Sequence, residues 1–192
     1  MNRLRFFIVL VFSIFVMSSA YADADYSKAI KVFRDSPVVQ PYFQNAHGYA
    51  IFPTIGKGGI GIGGAHGSGQ VYRGDKLTGK TSMTQLTIGL QLGGQAYSQI
   101  IFFEDKRAYD EFTSGNFEFG AQASAVAITA GAQAQAGTTG AGASASPGGS
   151  AGAQAETKYH KGMAVFTRAK GGLMYEAAIG GQKFSFKPVG KK

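Results

Sequence analysis

From Gly48 onward, short apolar runs alternate with glycines, and that punctuation confines the chain to a sheet of many short, curved strands. YAIFP, GGIGIGG, GSGQVYRG, SMTQLTIGLQLGG and AYSQIIFF follow one another between residues 49 and 103. Glycine occurs 29 times in the 192 residues, mostly after this point. Spaced this way, it fits tight turns, bulges and close strand contacts in an antiparallel sheet. One helix interrupts the pattern, Glu104 to Phe112 (EDKRAYDEF), acidic at its start, with Ala108 and Phe112 four apart and Gly115 placed to end it.

Phe119 to Glu156 is almost wholly Ala, Gly, Gln, Ser and Thr, a composition that by itself also fits a disordered loop. Its first half keeps strict period two. Ala121, Ala123, Ala125 and Ala127 hold odd positions, then Ala130, Ala132, Ala134 and Ala136 hold even ones. A strand whose alanines slip by one residue needs a bulge to keep them on one face, here near Thr129. The expectation is a long strand, a flexible tip around Gly137–Gly149 (about 137–150), and a return strand through Lys158–Arg168. KGMAVFTRAKGGLMYEAAIGGQKFSF then reads as a terminal pair or triplet of strands turning at Gly171–Gly172 and Gly180–Gly181.

Ahead of the sheet, Asp23 to Arg34 (DADYSKAIKVFR) reads as an amphipathic helix. Tyr26, Ala29, Ile30 and Phe33 form one apolar stripe, with Lys28 and Lys31 opposite and Arg34 to the side. Ser36 and Pro37 look like the cap and first residue of a second short helix, which puts Pro41 four residues into it. Before these lies a leader. Arg3 and Arg5 precede an apolar run, Phe6 to Met17, and then SSAYA, the order of a secretory signal cleaved after Ala22. Residues 23–192 then form a single domain, large enough to bury roughly 70% of its unfolded surface. Export places it in the periplasm or outside the cell.

The chain has no cysteine, which excludes disulfides, thiolate metal sites, cysteine nucleophiles and a lipid-modified cysteine at the cut. It carries 19 Lys+Arg against 11 Asp+Glu, so anionic partners are favoured. Outside the cytoplasm these are acidic lipid or glycan, and no nucleic acid is expected.

Two segments imitate nucleotide sites. Gly59, Gly61 and Gly64 satisfy G-x-G-x-x-G, but AHGSGQVYRG follows, which cannot make the helix that fingerprint needs. GDKLTGKT, Gly74 to Thr81, fits the phosphate-loop pattern, with Lys80 and Thr81 at its chemical positions, yet SMTQLTIGLQLGG follows and alternates like a strand. A polar hairpin turn explains the same residues. His47, His66 and His160 have no partners at metal-site spacing, and no G-x-S-x-G elbow is present. The expectation is a protein that is not an enzyme and holds no cofactor or metal.

NAHGYAIFPTIGKGGIGIGGAHGSGQVY resembles the opening signature of the SYLF domain, found in bacterial envelope proteins, yeast actin-patch proteins and plant and animal lipid-binding proteins. LTIGLQLGGQAYSQIIFF is similar to its second block, with Gly89, Gln91, Gly93 and Gln95 as the G-x-Q-x-G-x-Q core. FTSGNFEFGAQASAVAI and KGMAVFTRAKGGLMYEAAIGG are similar to the later blocks, in order, over roughly residues 26–186. The family's tryptophan after the first glycine block has no counterpart, since the chain has no Trp and KLTGKTSMT stands there.

The resemblance implies an α+β fold with an antiparallel, barrel-like sheet, here rich in Gly and Ala, and two or three short helices. It also implies lipid or membrane association rather than catalysis. In eukaryotic relatives a basic amphipathic N-terminal helix engages phosphoinositides, and some relatives bind actin; the matching segment here is Asp23–Arg34. One reading has Tyr26, Ile30 and Phe33 dip into a membrane while Lys28, Lys31 and Arg34 meet phosphates of anionic phospholipid. The other has the stripe pack on the sheet. A structural or assembly role through another envelope protein is the alternative function.

The SSAYA site generates the first prediction. Mass spectrometry of protein purified from the cell envelope should find the mature chain beginning at Asp23, and a membrane-bound form retaining Met1 would refute it.

Overall fold

The computed structural model describes residues 25–60, 62–88, 95–120, 123, 125–129, 132–135, 159–170 and 179–190. Helix α1 covers residues 25–34 and α2 covers Gln40–Asn45. Four long strands follow, β1 Gly48–Ile60, β2 Ile62–Arg73, β3 Lys76–Ile88 and β4 Gln95–Phe103. Then come α3 Lys106–Thr113, β5 Phe117–Glu118, β6 Val126–Thr129, β7 Ala132–Gln135, β8 Met163–Ala169 and β9 Lys183–Pro188. The strands form one sheet in the order β5-β9-β3-β2-β1-β4-β8-β6-β7, antiparallel except for β6 beside β8. It is a half-barrel with helices against it, the α+β, barrel-like architecture expected.

Period two explains both the sheet's cores and its composition. In β1, Ala50, Phe52 and Ile55 point to an inner cluster, and Tyr49 and Ile51 to an outer one. β4 divides likewise, with Ile101 and Phe103 inward and Ile100 and Phe102 outward, and β8 sends Val165 in and Phe166 out. These strands are covered on both faces, so they read as unbroken apolar runs rather than alternating ones. β3 and the first part of β2 are covered on the inner face alone, while Gln70 and Tyr72 at the end of β2 are covered on the outer face as well. Accordingly Ala65, Val71 and Met83 are buried while His66, Ser68, Lys80 and Thr84 between them are exposed.

The inner face of β2 is built from small residues because its neighbours' large side chains lie across it. A Cβ at Gly69 would sit 2.7 Å from the Phe52 ring and 2.8 Å from the Ile51 carbonyl oxygen. One at Gly67 would sit 2.6 Å from the Ile55 side chain. Pro53 lacks an N–H, and β1 shifts register around it in its pairing with both β2 and β4. Ser98 Oγ donates to the Pro53 carbonyl at 2.9 Å, holding the irregularity from β4.

Several buried polar groups on the inner face are paired to one another. Gln99 Nε2 donates to Gln182 Oε1 at 2.9 Å, and Gln182 Nε2 donates back to Gln99 Oε1 at 3.2 Å and to the Tyr97 hydroxyl at 3.3 Å. Burial pushes the Tyr97 phenol up to about 12 against the opposing Gln182 hydrogen bond, so it stays neutral at ordinary pH. Gln85 Nε2 donates to the Gly180 carbonyl at 2.9 Å, and Gly181 beside it takes φ +74. These bonds fix the turn that delivers β9 to β3.

α3 forms as expected and starts two residues later than the acidic segment suggested. Asp105 is its cap, accepting from the Ala108 N–H at 2.8 Å, while Ala108 and Phe112 fill the inner cluster and Gly115 ends it at φ +96.

Four expectations need correction. Residues 37–39 are a turn, and α2 begins at Gln40, so Pro41 falls in its first turn, where a missing N–H has no consequence. The alanine ladder is not one long strand, although the irregularity expected near Thr129 is present, as a register shift between Ala127 and Thr129. β6 ends at Thr129 and β7 returns from Ala132 antiparallel to it, so the change of phase marks a reversal of the chain. The strand through Met163–Ala169 is no antiparallel return, because β8 lies parallel to β6 and antiparallel to β4. Finally, β8 and β9 are not paired with each other; β9 crosses to β3 and β5. The tip around 137–150 and the turn at Gly171–Gly172 lie outside the described residues.

Gly69→Val forces atoms into the Phe52 ring and a backbone oxygen, so it should destabilise by about 1–3 kcal/mol. The check is a urea midpoint lowered by on the order of 1 M. Gly56→Val should leave it almost unmoved, because nothing lies within 4 Å of a Cβ there.

Candidate functional site

α1 lies on the outer face of the sheet because its apolar stripe completes the outer cluster. Ala29 and Phe33 join Val39, Tyr49, Ile51, Ile100, Phe102 and Phe166, and Phe33 is 1% exposed. Tyr26 and Ile30 are half-buried and pack against the same cluster. Phe33 is thus a core residue, and Tyr26 and Ile30 lie half-buried against the sheet, the packing that the second reading of the stripe expects. Sequence periodicity identifies such a stripe without saying what covers it.

The three helix cations all reach solvent, with different surroundings. Lys31 Nζ lies 2.8 Å from Asp35. Arg34 lies 3.6 Å from Asp75, in the turn between β2 and β3, and its guanidinium stands 4.9 Å from the centre of the Phe43 ring. Lys28 is exposed one turn ahead of them. Ion pairs this exposed are worth ~0–1 kcal/mol, so an anion arriving from solvent competes with them on nearly equal terms. Tyr49, beneath Arg34, is pushed up to about 12 chiefly by burial, with the Arg34 charge acting in the opposite direction.

Neither nucleotide-like motif has the local structure its chemistry requires. Gly74 takes φ +58 in the two-residue turn between β2 and β3, a conformation typical of hairpins. Lys80 and Thr81 then lie inside β3 rather than at a helix start, and Thr81 Oγ1 donates to the Ser185 carbonyl at 2.6 Å. Gly59 and Gly64 pair with their neighbours across the β1–β2 hairpin. Among the described residues, no three or more His, Cys, Asp or Glu side chains gather where a metal ion would be held.

Sequence reasoning missed a second group of cations on this same outer face. Strand register sets Lys80 opposite Lys187 and Thr84 opposite Lys183, on the part of the sheet that α1 and α2 leave bare. Their exposure follows from period two in β3 and β9. Their adjacency depends on β9 crossing to β3, which nothing local announces.

A family model described as Las17-binding protein actin regulator, Ysc84, matches residues 84–187, more than half of the chain and the span from late β3 to late β9. The chain belongs to this family, the SYLF family. The SYLF chain is also similar to Beta cell expansion factor A of Aeromonas veronii, 29% identical over 158 residues that make up 81% of this chain and 51% of that protein. It thus spans about half the length of that relative. The matched region holds the half-barrel from the end of β3 to β9, and α1, α2, β1, β2 and most of β3 lie ahead of it.

The packing of α1 separates two kinds of substitution. Phe33→Ala should destabilise the fold by about 3–5 kcal/mol. Replacing Lys28, Lys31 and Arg34 together with Glu should shift stability by no more than ~1 kcal/mol. Urea unfolding followed by circular dichroism measures both.

Proposed function

We propose that this SYLF chain is an exported, non-catalytic protein that associates peripherally with anionic phospholipid surfaces through the outer face of its half-barrel. The observation that carries this reading is the separation of charge between the two sides of the sheet. Glu104, Asp105, Asp110 and Glu111 stand in or beside α3, which packs on the inner cluster; Lys106 and Arg107 pair with three of them and leave the helix region net acidic. Lys28, Lys31, Arg34, Lys80, Lys183 and Lys187 stand on the outer side, against Asp35, Asp75 and Glu118. A protein so polarised turns one side toward a negative surface as it approaches. Membership of the SYLF family supports a lipid-directed role over a hydrolytic one.

Magnitudes set the character of the interaction. A cation near an anionic leaflet contributes about 1 kcal/mol, screened beyond ~8–10 Å at physiological salt. The three helix cations alone give ~3 kcal/mol, so binding that relied on them would be marginal. No helix among the described residues is long and apolar enough to cross a membrane. The reading is one of surface attachment.

Flotation with phosphatidylglycerol-containing vesicles tests it. The chain should float with them at low salt, ignore pure phosphatidylcholine, and lose most binding near 1 M salt, where the Debye length is ~3 Å. Replacing Lys28, Lys31 and Arg34 with Glu should weaken flotation without unfolding the protein. Wild type left at the bottom of the gradient at low salt would overturn the reading and favour contact with another envelope protein.

A further inference from the structure

The uncovered part of the outer face, on β2, β3 and β9, is ordered row by row. Lys80 stands directly opposite Lys187, and Gln70, beside Lys80 on β2, is buried and marks the edge of the bare face. In the next outward row Ser82 stands opposite Ser185, their hydroxyls 2.7 Å apart, with Ser68 alongside. In the third, Thr84 stands opposite Lys183, with His66 alongside and its Nδ1 3.3 Å from Thr84 Oγ1. The last row is Leu86 beside Gly64, beyond the end of β9, and Leu86 is 80% exposed.

Three features distinguish this face from ordinary solvated strand surface. Like charges directly opposite one another in an antiparallel pair destabilise it, yet Lys80 and Lys187 occupy such a pair. Among the described residues no carboxylate pairs with either, whereas Lys183 has Glu118 at 3.5 Å. Stability alone would favour Glu or Thr at one of the two positions. The row between the lysine rows is hydroxyl-bearing and short, so the lysines stand clear of a low floor that donates hydrogen bonds. Finally, Leu86, the most exposed large apolar side chain among the described residues, sits at the end of these rows beside a glycine. Successive rows are about 7 Å apart along the strands, which puts Leu86 roughly 20 Å from Lys80.

We propose that this bare face is the membrane-contacting surface of the protein, with Lys80, Lys187 and Lys183 on lipid phosphates and Leu86 dipping below the headgroups. The inference rests on the proposed function and deepens it, moving the contact from the apolar stripe of α1, which the core has taken, to the sheet beside it. A soluble polyanion would satisfy the lysines and leave Leu86 without a role. A bilayer satisfies both, since interfacial binding combines charge with a buried apolar anchor. The cations of α1 lie on the same side and add to the field without forming the contact.

The absence of tryptophan makes the test direct, because Leu86→Trp introduces the chain's sole indole. On phosphatidylglycerol-containing vesicles its emission should shift to the blue, and neither phosphatidylcholine vesicles nor inorganic phosphate should move it. K80Q/K187Q should partition onto the anionic vesicles ~25-fold more weakly, about fivefold for each lysine at ~1 kcal/mol apiece. It should unfold no earlier in urea, because it removes a like-charge pair. If wild type floats with the vesicles but K80Q/K187Q floats equally well, or the indole emission stays unshifted, the sheet-face contact is wrong while membrane association stands. If wild type does not float at all, both fall. Retention on dextran sulfate that is lost in K80Q/K187Q, with vesicles ignored, would reassign the face to a polyanionic chain and likewise overturn the proposal.

Discussion

Phe52 lies flat against Gly69, and the sheet can curve because of that contact and its companion between Ile55 and Gly67. A sheet that closes halfway toward a barrel brings its inner side chains together, so bulky residues on every strand would collide. Here the inward positions of β2 carry almost no volume, and the aromatic and aliphatic groups of β1 fill the space instead. The arrangement also fixes register. Moving β1 by one residue would send Phe52 outward and bring Ile51 against glycines, exchanging the two clusters at once. Phe184 and Phe112 then close the inner side, with ring centres 5.1 Å apart, and bring α3 to rest there.

What the inner cluster gains from glycine, the outer face loses in coverage. α1 and α2 hide the outward residues of β1, β4 and β8, where the sequence supplies Tyr, Ile and Phe. They do not extend over β3 and β9, and the outward residues there are Lys, Ser and Thr until Leu86 near the end of β3. The boundary between covered and bare sheet is therefore also a boundary between apolar and cationic surface. Arg34 spans it, stacked on Phe43 and paired with Asp75 at the turn into β3.

The strands were legible in the sequence because each carries its own signal, an apolar run bounded by glycines, and α3 because Asp105 and the spacing of Ala108 and Phe112 are local. Partnership was not legible. β8 and β9 look like a hairpin on paper, and only the buried Gln99–Gln182 pair, with Gln85 on the Gly180 carbonyl, explains why β9 leaves for β3. The alanine ladder was legible in part for a related reason: the irregularity at Ala127 and Thr129 is there, but a reversal of the chain produces the same slip of phase as a bulge, and the slip alone did not announce it. Of the expected site, the exposure of Lys28, Lys31 and Arg34 was readable from helical periodicity. The fate of Phe33 was not, because an apolar stripe looks the same whether it meets a sheet or a bilayer.

Family membership bears on which surface to weigh most heavily. The matched region, residues 84–187, begins with Leu86 and the outer end of β3 and closes on Lys183, Ser185 and Lys187 of β9, while α1 lies wholly outside it. A function tied to the shared fold is better placed on features the fold itself creates than on a helix that precedes it. The pairing of β3 with β9 is such a feature, since it joins the last strand of the matched region to the strand on which that region begins, with Thr84 and Lys183 as the pair inside it. Lys80 falls just ahead of the match and is brought into the ladder by register with Lys187. The half-barrel thus assembles, from residues far apart in sequence, a flat cationic face that neither terminus of the region carries alone.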